Sequence, residues 1–355
     1  MRVLLLCSAI CATMIVASPV QATQANPGEA QRVANSAASP DHRIAQEEAA
    51  TSSVTRLDVS GNGIVGELNL PKAEGRLPAL IVVGYCTPGF PIGTARQLAN
   101  YGFVALGLHY CGRDNLPAQL QEIPLEYFKA AIDWLRSQPS VDAGHIGLVG
   151  SSAGAEAALV IAATYPEINA VVAIAPSSVV WQGYGTSPKP IYTAEPKSAW
   201  TLMGKPFPFV PFVVPSVVNF QGEIYANSLH VASHEAAIIP VERINCPILL
   251  ISGTDDRSWP SDEMARELVD RLKRTRFRFP YEHLSYPNAG HAFFSARDLS
   301  SDPKAAEGFR HALERSIDRR FGGTTEGNES AQADAWRKTL RFLDDNLKAG
   351  PSGPG

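Results

Sequence analysis

Residues 147–157 read GLVGSSAGAEA: an apolar run that ends in glycine, then two serines, then a train of small residues. The pattern Gly150-x-Ser152-x-Gly154 describes a strand that turns sharply into a helix and holds a serine hydroxyl out at the bend. Small residues belong two positions to either side, because a side chain there would collide with the turn. The bare pattern is a weak signal, and its surroundings strengthen it. Residues 146–149 are strand-like, and the alanine-rich stretch that follows suits a helix packed closely on a sheet. The two serines are not equivalent. A nucleophile at Ser151 would be flanked by Val149 and Ala153, and the β-branched Val149 would crowd the bend. Ser152 is the expected nucleophile.

Working outward, the chain alternates short apolar runs with amphipathic stretches. The runs cover 79–83, 103–108, 145–149, 170–175, 247–252 and 283–286. This alternation predicts a mostly parallel sheet covered by helices on both faces. Leu125, Phe128, Ile132 and Leu135 recur at helical spacing, and Trp336, Leu340, Leu343 and Leu347 mark one side of a final helix over about 331–347. Ahead of the alternation, two strand-like runs within 54–70 flank Ser60-Gly61-Asn62-Gly63, a hairpin signal. Between about 176 and 240 the pattern breaks into a stretch rich in proline and aromatic residues, which reads as a lid-like insertion that helps bind substrate.

A serine hydroxyl needs a base, and the base needs an orienting carboxylate. With the nucleophile on such a bend, the chain order is serine, acid, histidine, so both partners should lie in the C-terminal half. His291, in YPNAGHAFF, follows a short strand and a glycine-containing loop and is the expected base. His283 falls inside a strand-like run and His311 inside an expected helix, so both read as structural. His230 and His234 are one turn apart without a third ligand signal, and they read as surface or insertion residues. The acid should follow the strand ending at Ser252. Gly253-Thr254-Asp255-Asp256 favours Asp256 by spacing and keeps Asp255 as the alternative. Attack on an acyl carbon creates an oxyanion that two preorganised N–H groups must hold. The amide of Ala153 is one candidate, and that of Tyr85 or Cys86, in GYCTPG, is the other.

Composition bounds the partners. The chain has 355 residues, a length within reach of one large α/β domain with insertions. Its formal net charge of -4 is spread over both signs, which excludes the basic footprint of a nucleic-acid or anionic-membrane binder. Nothing points to a cofactor or a metal, and no pattern specifies an oligomeric state. Residues 1–22 carry Arg2, an apolar run over 3–17 and a small-x-small exit at Val20 and Ala22, the pattern of a cleaved export signal. That run is short for a stable membrane span, which requires about 20 apolar residues. The reading is a secreted or periplasmic protein with a flexible leader over 23–53, one domain over 54–348 and a short tail over 349–355. Beyond the signal remain Cys86, Cys111 and Cys246, an odd number that permits at most one internal disulfide. Cys86 and Cys111 both follow strand-like runs expected to be sheet neighbours and are the favoured pair, with free buried thiols as the alternative.

With these residues in place, the region from about 77 to 347 resembles the C-terminal α/β-hydrolase domain of the acyl-CoA thioesterase and bile acid-CoA:amino acid N-acyltransferase family. PLEYFKAAIDWLRSQPSV, IPVER, GTDDRSW, YPNAGH and FGG followed by AQADAWRKTLRFL resemble that family in the expected order. The resemblance implies an α/β-hydrolase fold with Ser152 as nucleophile, Asp256 as acid and His291 as base. It also implies an acyl group taken from a CoA thioester. Family transferases are associated with cysteine at the nucleophile position, so Ser152 implies hydrolysis. Two departures stand out. Family members commonly have a β-sandwich domain ahead of the hydrolase domain, where this chain has a leader and a hairpin. CoA thioesters are chiefly intracellular, so an exported enzyme would meet some other acyl ester or thioester with an apolar portion. Transfer to an amine or alcohol, peptidase activity and a non-catalytic binding role on the same scaffold are the alternatives.

Overall fold

The computed structural model describes residues 54–61, 63–86, 90–113, 115–185, 195–231, 234–296 and 320–348. The export-signal and leader assignments, and His311, lie outside these residues. An eight-stranded sheet forms the centre. It is built from β1 (Thr55–Asp58), β2 (Val65–Leu70), β3 (Leu77–Val83), β4 (Val104–His109), β5 (Val141–Ser151), β6 (Ala170–Ile174), β7 (Ile248–Gly253) and β8 (Tyr281–Tyr286). Their order across the sheet is β1-β2-β4-β3-β5-β6-β7-β8. The expected N-terminal hairpin is β1 and β2, antiparallel to each other, and β2 runs antiparallel to β4. All remaining pairs are parallel.

Among the described residues the α-helices are α1 (Phe90–Asn100), α2 (Leu125–Arg136), α3 (Ala153–Thr164), α4 (Gly222–Val231), α5 (Ser261–Arg274) and α6 (Thr325–Leu343). Strands β4, β6 and β7 are buried along their whole length, as a sheet covered on both faces requires. Leu125, Phe128, Ile132 and Leu135 of α2 all point into the core, as do Trp336, Leu340 and Leu343 of α6. Helix α6 begins six residues before the expected start, because Thr324 caps it by accepting a hydrogen bond from the Gly327 amide. Strand β5 begins at Val141 rather than His145, since Val141 pairs with Leu77 across an irregular register.

Parallel strands deliver their C-terminal ends to one edge of the sheet, the usual ligand edge of such folds. There lie the loops after β3, β5, β7 and β8 that carry Tyr85 and Cys86, Ser152, Asp256 and His291. Cys86 and Cys111 follow the neighbouring strands β3 and β4 and are joined in a disulfide with Cα atoms 4.9 Å apart, while Cys246 is a free, buried thiol.

The 176–240 stretch differs from the expected lid in how it uses its aromatic residues. Trp181 and Trp200 are fully buried anchors. Trp200–Leu202 pairs in parallel with Ile123–Pro124 and antiparallel with Lys205–Pro206, so the insertion is stitched to the segment leading into α2. A second apolar cluster, built on Val179, Trp181, Val210, Tyr225, Leu229 and Trp259, fixes it near the β7 loop. Among its described residues, the large apolar side chains that remain exposed are Met203 and several valines, including Val213, Val214, Val217 and Val218.

Candidate active site

Ser152 occupies a backbone conformation that non-glycine residues rarely adopt, with φ 58° and ψ −127°, between the last residue of β5 and the first of α3. Its amide donates to the Ile174 carbonyl at 2.9 Å, and its carbonyl accepts from the Ala155 and Glu156 amides at 2.8 and 3.1 Å. The flanking glycines have a steric cause. A Cβ on Gly150 would stand 2.1 Å from the Gly154 carbonyl oxygen, and one on Gly154 would stand 2.3 Å from the Val83 oxygen and 2.8 Å from Gly84 Cα. The strand, the bend and the end of β3 therefore pass one another with no room for side chains. Ser151 is buried as the last residue of β5 and pairs with Ile174.

The bend aims the Ser152 hydroxyl at His291. His291 Nε2 lies 2.8 Å from Ser152 Oγ, and His291 Nδ1 lies 2.9 Å from Asp256 Oδ2 and 3.1 Å from Oδ1. A histidine bonded on both ring nitrogens is held in one orientation. If Nδ1 carries the proton toward Asp256, Nε2 is left to accept one from serine. Asp256 is itself held by the Ser258 amide at 2.9 Å, the Trp259 amide at 3.2 Å and the Ser261 hydroxyl at 2.6 Å. The side chains of His291 and Asp256 are 10% and 2% exposed, so the charge relation between them is little screened by water.

Further contacts set the position of His291. Its amide donates to the Phe321 carbonyl at 2.7 Å, and the Phe321 ring stacks on the imidazole at 6.0 Å between centroids. The Trp259 ring meets the same imidazole edge-on at 5.8 Å. Gly322 and Gly323 continue from Phe321 with φ 73° and 82°, and a Cβ on Gly322 would meet the Asp255 carbonyl oxygen at 1.8 Å. Asp255, the alternative acid, turns away from the imidazole. It accepts from the Gly323 amide at 2.8 Å and pairs with Arg257 at 3.2 Å, bracing the loop that carries Phe321. Two other histidines weighed as candidates stand elsewhere. His283 Nε2 bonds Ser252 Oγ at 2.7 Å within the sheet, and His230 pairs with Glu263 at 2.8 Å on the surface.

The oxyanion candidates line the same bend. Ala153 is the first residue of α3, where helix amides point outward without helical partners. Tyr85 and Cys86 follow β3, which pairs with β5 up to Val83 and Gly150. The Tyr110 hydroxyl donates to the Gly84 carbonyl at 2.5 Å and holds this loop from beneath, and the Tyr85 ring stacks on Tyr184 at 5.3 Å.

Several contributors had no role assigned from the sequence. Ser261 and Trp259 act on Asp256 and His291 through packing between α5 and the β7 loop. The run FGG was visible as a motif, though with no role attached. Glu156, inside an alanine-rich helix, gave no signal at all.

Comparison with known proteins bears on the same residues. Residues 123–349 match the family model described as BAAT / acyl-CoA thioester hydrolase C terminal, a span that contains Ser152, Asp256 and His291 and leaves out Tyr85 and Cys86. The chain is similar to acyl-coenzyme A thioesterase 6 of Homo sapiens, 26% identical over 307 residues that cover 83% of this chain and 66% of that protein. It is also similar to acyl-coenzyme A amino acid N-acyltransferase 1 of Mus musculus, 28% identical over 302 residues that cover 83% of this chain and 66% of that protein. The chain thus spans just under two thirds of the length of these relatives. Among solved structures, a dienelactone hydrolase-like promiscuous phosphotriesterase from metagenomic libraries aligns with a TM-score of 0.48 and 18% identity, covering 83% of this chain and 98% of that one.

Proposed function

The chain belongs to the BAAT / acyl-CoA thioester hydrolase C-terminal family, and from that premise we propose that it is a serine hydrolase that cleaves an acyl thioester or ester. The observation that carries this reading is the unbroken hydrogen-bonded series from Ser152 through His291 to Asp256, with the serine on a strained strand-to-helix bend. Ser152 Oγ attacks the acyl carbon while its proton passes to His291 Nε2, and Asp256 stabilises the imidazolium that results. The negative charge that gathers on the acyl oxygen is held by the amide of Ala153 and by that of Tyr85 or Cys86. When the tetrahedral species collapses, the bond to the leaving sulfur or oxygen breaks and His291 returns the proton to it. Water, deprotonated by the same imidazole, then attacks the acyl-Ser152; the bond to Ser152 Oγ breaks, the imidazolium returns its proton to that oxygen, and the free acid leaves.

The acyl portion is apolar, consistent with the aromatic rings packed between Trp259 and Tyr85. The N-terminal pattern over residues 1–22 supports export to the periplasm or the medium, where the leaving group would differ from CoA. Cell fractionation with sequencing of the mature N-terminus checks this, expecting a start near Thr23. Transfer to an amine is the second reading, favoured by the similarity to a relative named as an amino acid N-acyltransferase. Product analysis with an amine acceptor separates the two, since hydrolysis yields free acid and transfer an amide.

The test of the main reading is a fluorophosphonate probe, which should label the wild-type chain and leave Ser152→Ala unlabelled. A panel of acyl esters and matching thioesters of increasing chain length, run beside it, defines the acyl preference. Labelling that persists in Ser152→Ala would remove the assignment.

A further inference from the structure

A carboxylic acid that this chemistry does not use sits one helical turn beyond the nucleophile. Glu156, in α3, is 1% exposed, and its amide donates to the Ser152 carbonyl at 3.1 Å, which ties it directly to the bend. Its Oε1 accepts from two groups of the insertion, the Trp181 amide at 3.1 Å and the Trp200 indole Nε1–H at 2.7 Å. These tryptophans lead to opposite sides of the site. Trp181 packs edge-on against Tyr225 at 4.8 Å, Tyr225 meets Trp259 at 5.6 Å, and Trp259 meets His291. Trp200 packs on Tyr110 at 5.5 Å, and Tyr110 holds Gly84, the residue before Tyr85. The two sides also meet across the insertion, because Phe212 contacts both Tyr225 and Tyr184, and Tyr184 stacks on Tyr85. One carboxyl thus joins the nucleophile helix, the ring series that ends at the base, and the tyrosine that supports the loop after β3.

We propose that Glu156 is a positioning residue that clamps the aromatic wall of the acyl site onto the nucleophile helix, for substrates whose apolar acyl group reaches that wall. The inference rests on Ser152 being the nucleophile. Burial is the dominant influence on the Glu156 carboxyl and raises it to about 8, outweighing the hydrogen bonds from Trp200 and Trp181 that favour the anion. The titratable groups that face it are Tyr110, from the end of β4, and Tyr225, from α4, both of them phenols that burial keeps neutral. Among the described residues, no cation acts on it to stabilise a charge. At neutral pH the clamp is therefore an uncharged acid accepting two N–H groups. Ionisation places an uncompensated charge at an apolar junction, and the wall separates from α3 to let water reach it.

The experiment compares the full-length wild type with Glu156→Gln and Glu156→Leu. A long-chain acyl thioester and an acetyl thioester serve as substrates between pH 6.5 and 9.5, with tryptophan fluorescence recorded over the same range. In the wild type, KM for the long acyl group should rise at least five-fold through a midpoint near 8, while KM for acetyl stays level and fluorescence follows the same midpoint. Glu156→Gln, which keeps an acceptor and cannot ionise, should match wild type at pH 7 within about two-fold and lose both transitions. Glu156→Leu should show the high KM for the long acyl group at every pH, or fail to fold, and either result leaves the comparison with Glu156→Gln decisive. A wild-type KM and fluorescence that are flat across the range would overturn the proposal, as would a Glu156→Gln profile identical to wild type. Loss of the catalytic reading would announce itself separately, as failure of the fluorophosphonate probe to label Ser152 in all three proteins.

Discussion

Substituting Gly154 by alanine sets two physical terms against each other at the start of α3. Helix propensity alone favours alanine over glycine by about 1 kcal/mol in a helix interior, and by less in the first turn. Against this, the new Cβ would stand 2.3 Å from the Val83 carbonyl oxygen and 2.8 Å from Gly84 Cα, both backbone atoms that cannot swing aside. About 1 Å of separation must open between α3 and the end of β3 to reach ordinary contact. Overpacking of this kind costs roughly 1–3 kcal/mol, so the net effect is a destabilisation of about 1–2 kcal/mol in place of the gain expected from propensity. The functional loss should be larger than the stability loss. The atoms displaced lead directly into Tyr85 and Cys86, the candidate oxyanion donors, and a misplacement near 1 Å costs on the order of a hundred-fold in rate. Denaturant unfolding of Gly154→Ala beside wild type reads the first term, and kcat at saturating substrate reads the second. A variant as stable as wild type and within two-fold of its kcat would refute the steric account of the glycine, and with it the placement of the β3 loop against the Ser152 bend.

Other outcomes follow from the same contacts. Asp256→Asn should keep the fold and lower kcat by about 10³- to 10⁴-fold with KM nearly unchanged, because an amide toward His291 Nδ1 no longer fixes the reactive tautomer; steady-state kinetics check this. Ser261→Ala removes the 2.6 Å donor to Asp256 while leaving the Ser258 and Trp259 amides in place, so a milder fall of about ten-fold in kcat is expected. Replacing Cys86 and Cys111 together opens a cross-link between residues 25 apart, which chain entropy values at about 3.5 kcal/mol; chemical denaturation with and without reductant measures it. The pH dependence of unfolding should carry the signature of Glu156. Its carboxyl is raised on folding from 4.5 to about 8, so the folded chain binds the proton more tightly, and this contribution is complete below about pH 4.5. It is lost as pH climbs toward 8, by an amount on the order of a few kcal/mol. Glu156→Gln should flatten that slope in urea midpoints taken from pH 5 to 9.

The parts of the fold that could be read directly are those in which one residue's type already fixes its environment. Short continuous apolar runs such as ALIVV over 79–83 or the 247–252 run suit strands buried on both faces, and both are interior strands of the sheet. The four apolar positions of α2 lie on one helical face whatever surrounds them. Elements with polar sequence escaped. The first turns of α6, reading TEGNESAQ, show no apolar period, and their helix depends on a cap and on contact with the β8 loop. The start of β5, VDAG, is a strand only because Leu77 offers a pairing partner. The direction of the aromatic residues of 176–240 was not legible, since a ring-rich, proline-rich stretch can present its rings outward or use them as anchors. Here two tryptophans are anchors, and the deciding partner, Glu156, lies in another element.

The same division holds at the site. The chain by itself determined the order and chemistry of the candidates: a serine between glycines that nothing larger could replace, then an acid after an apolar strand, then a histidine in a glycine-containing loop. Local sterics and residue type suffice for that. Only the tertiary structure shows which of Asp255 and Asp256 meets the imidazole, because consecutive side chains point apart and the ring lies 35 residues further along. It alone brings Ser261, Phe321 and Glu156 into contact with Asp256, His291 and Ser152. Their contributions are contacts between elements distant in sequence, and pairwise geometry of that kind is written only in how the helices and loops close over the strand ends.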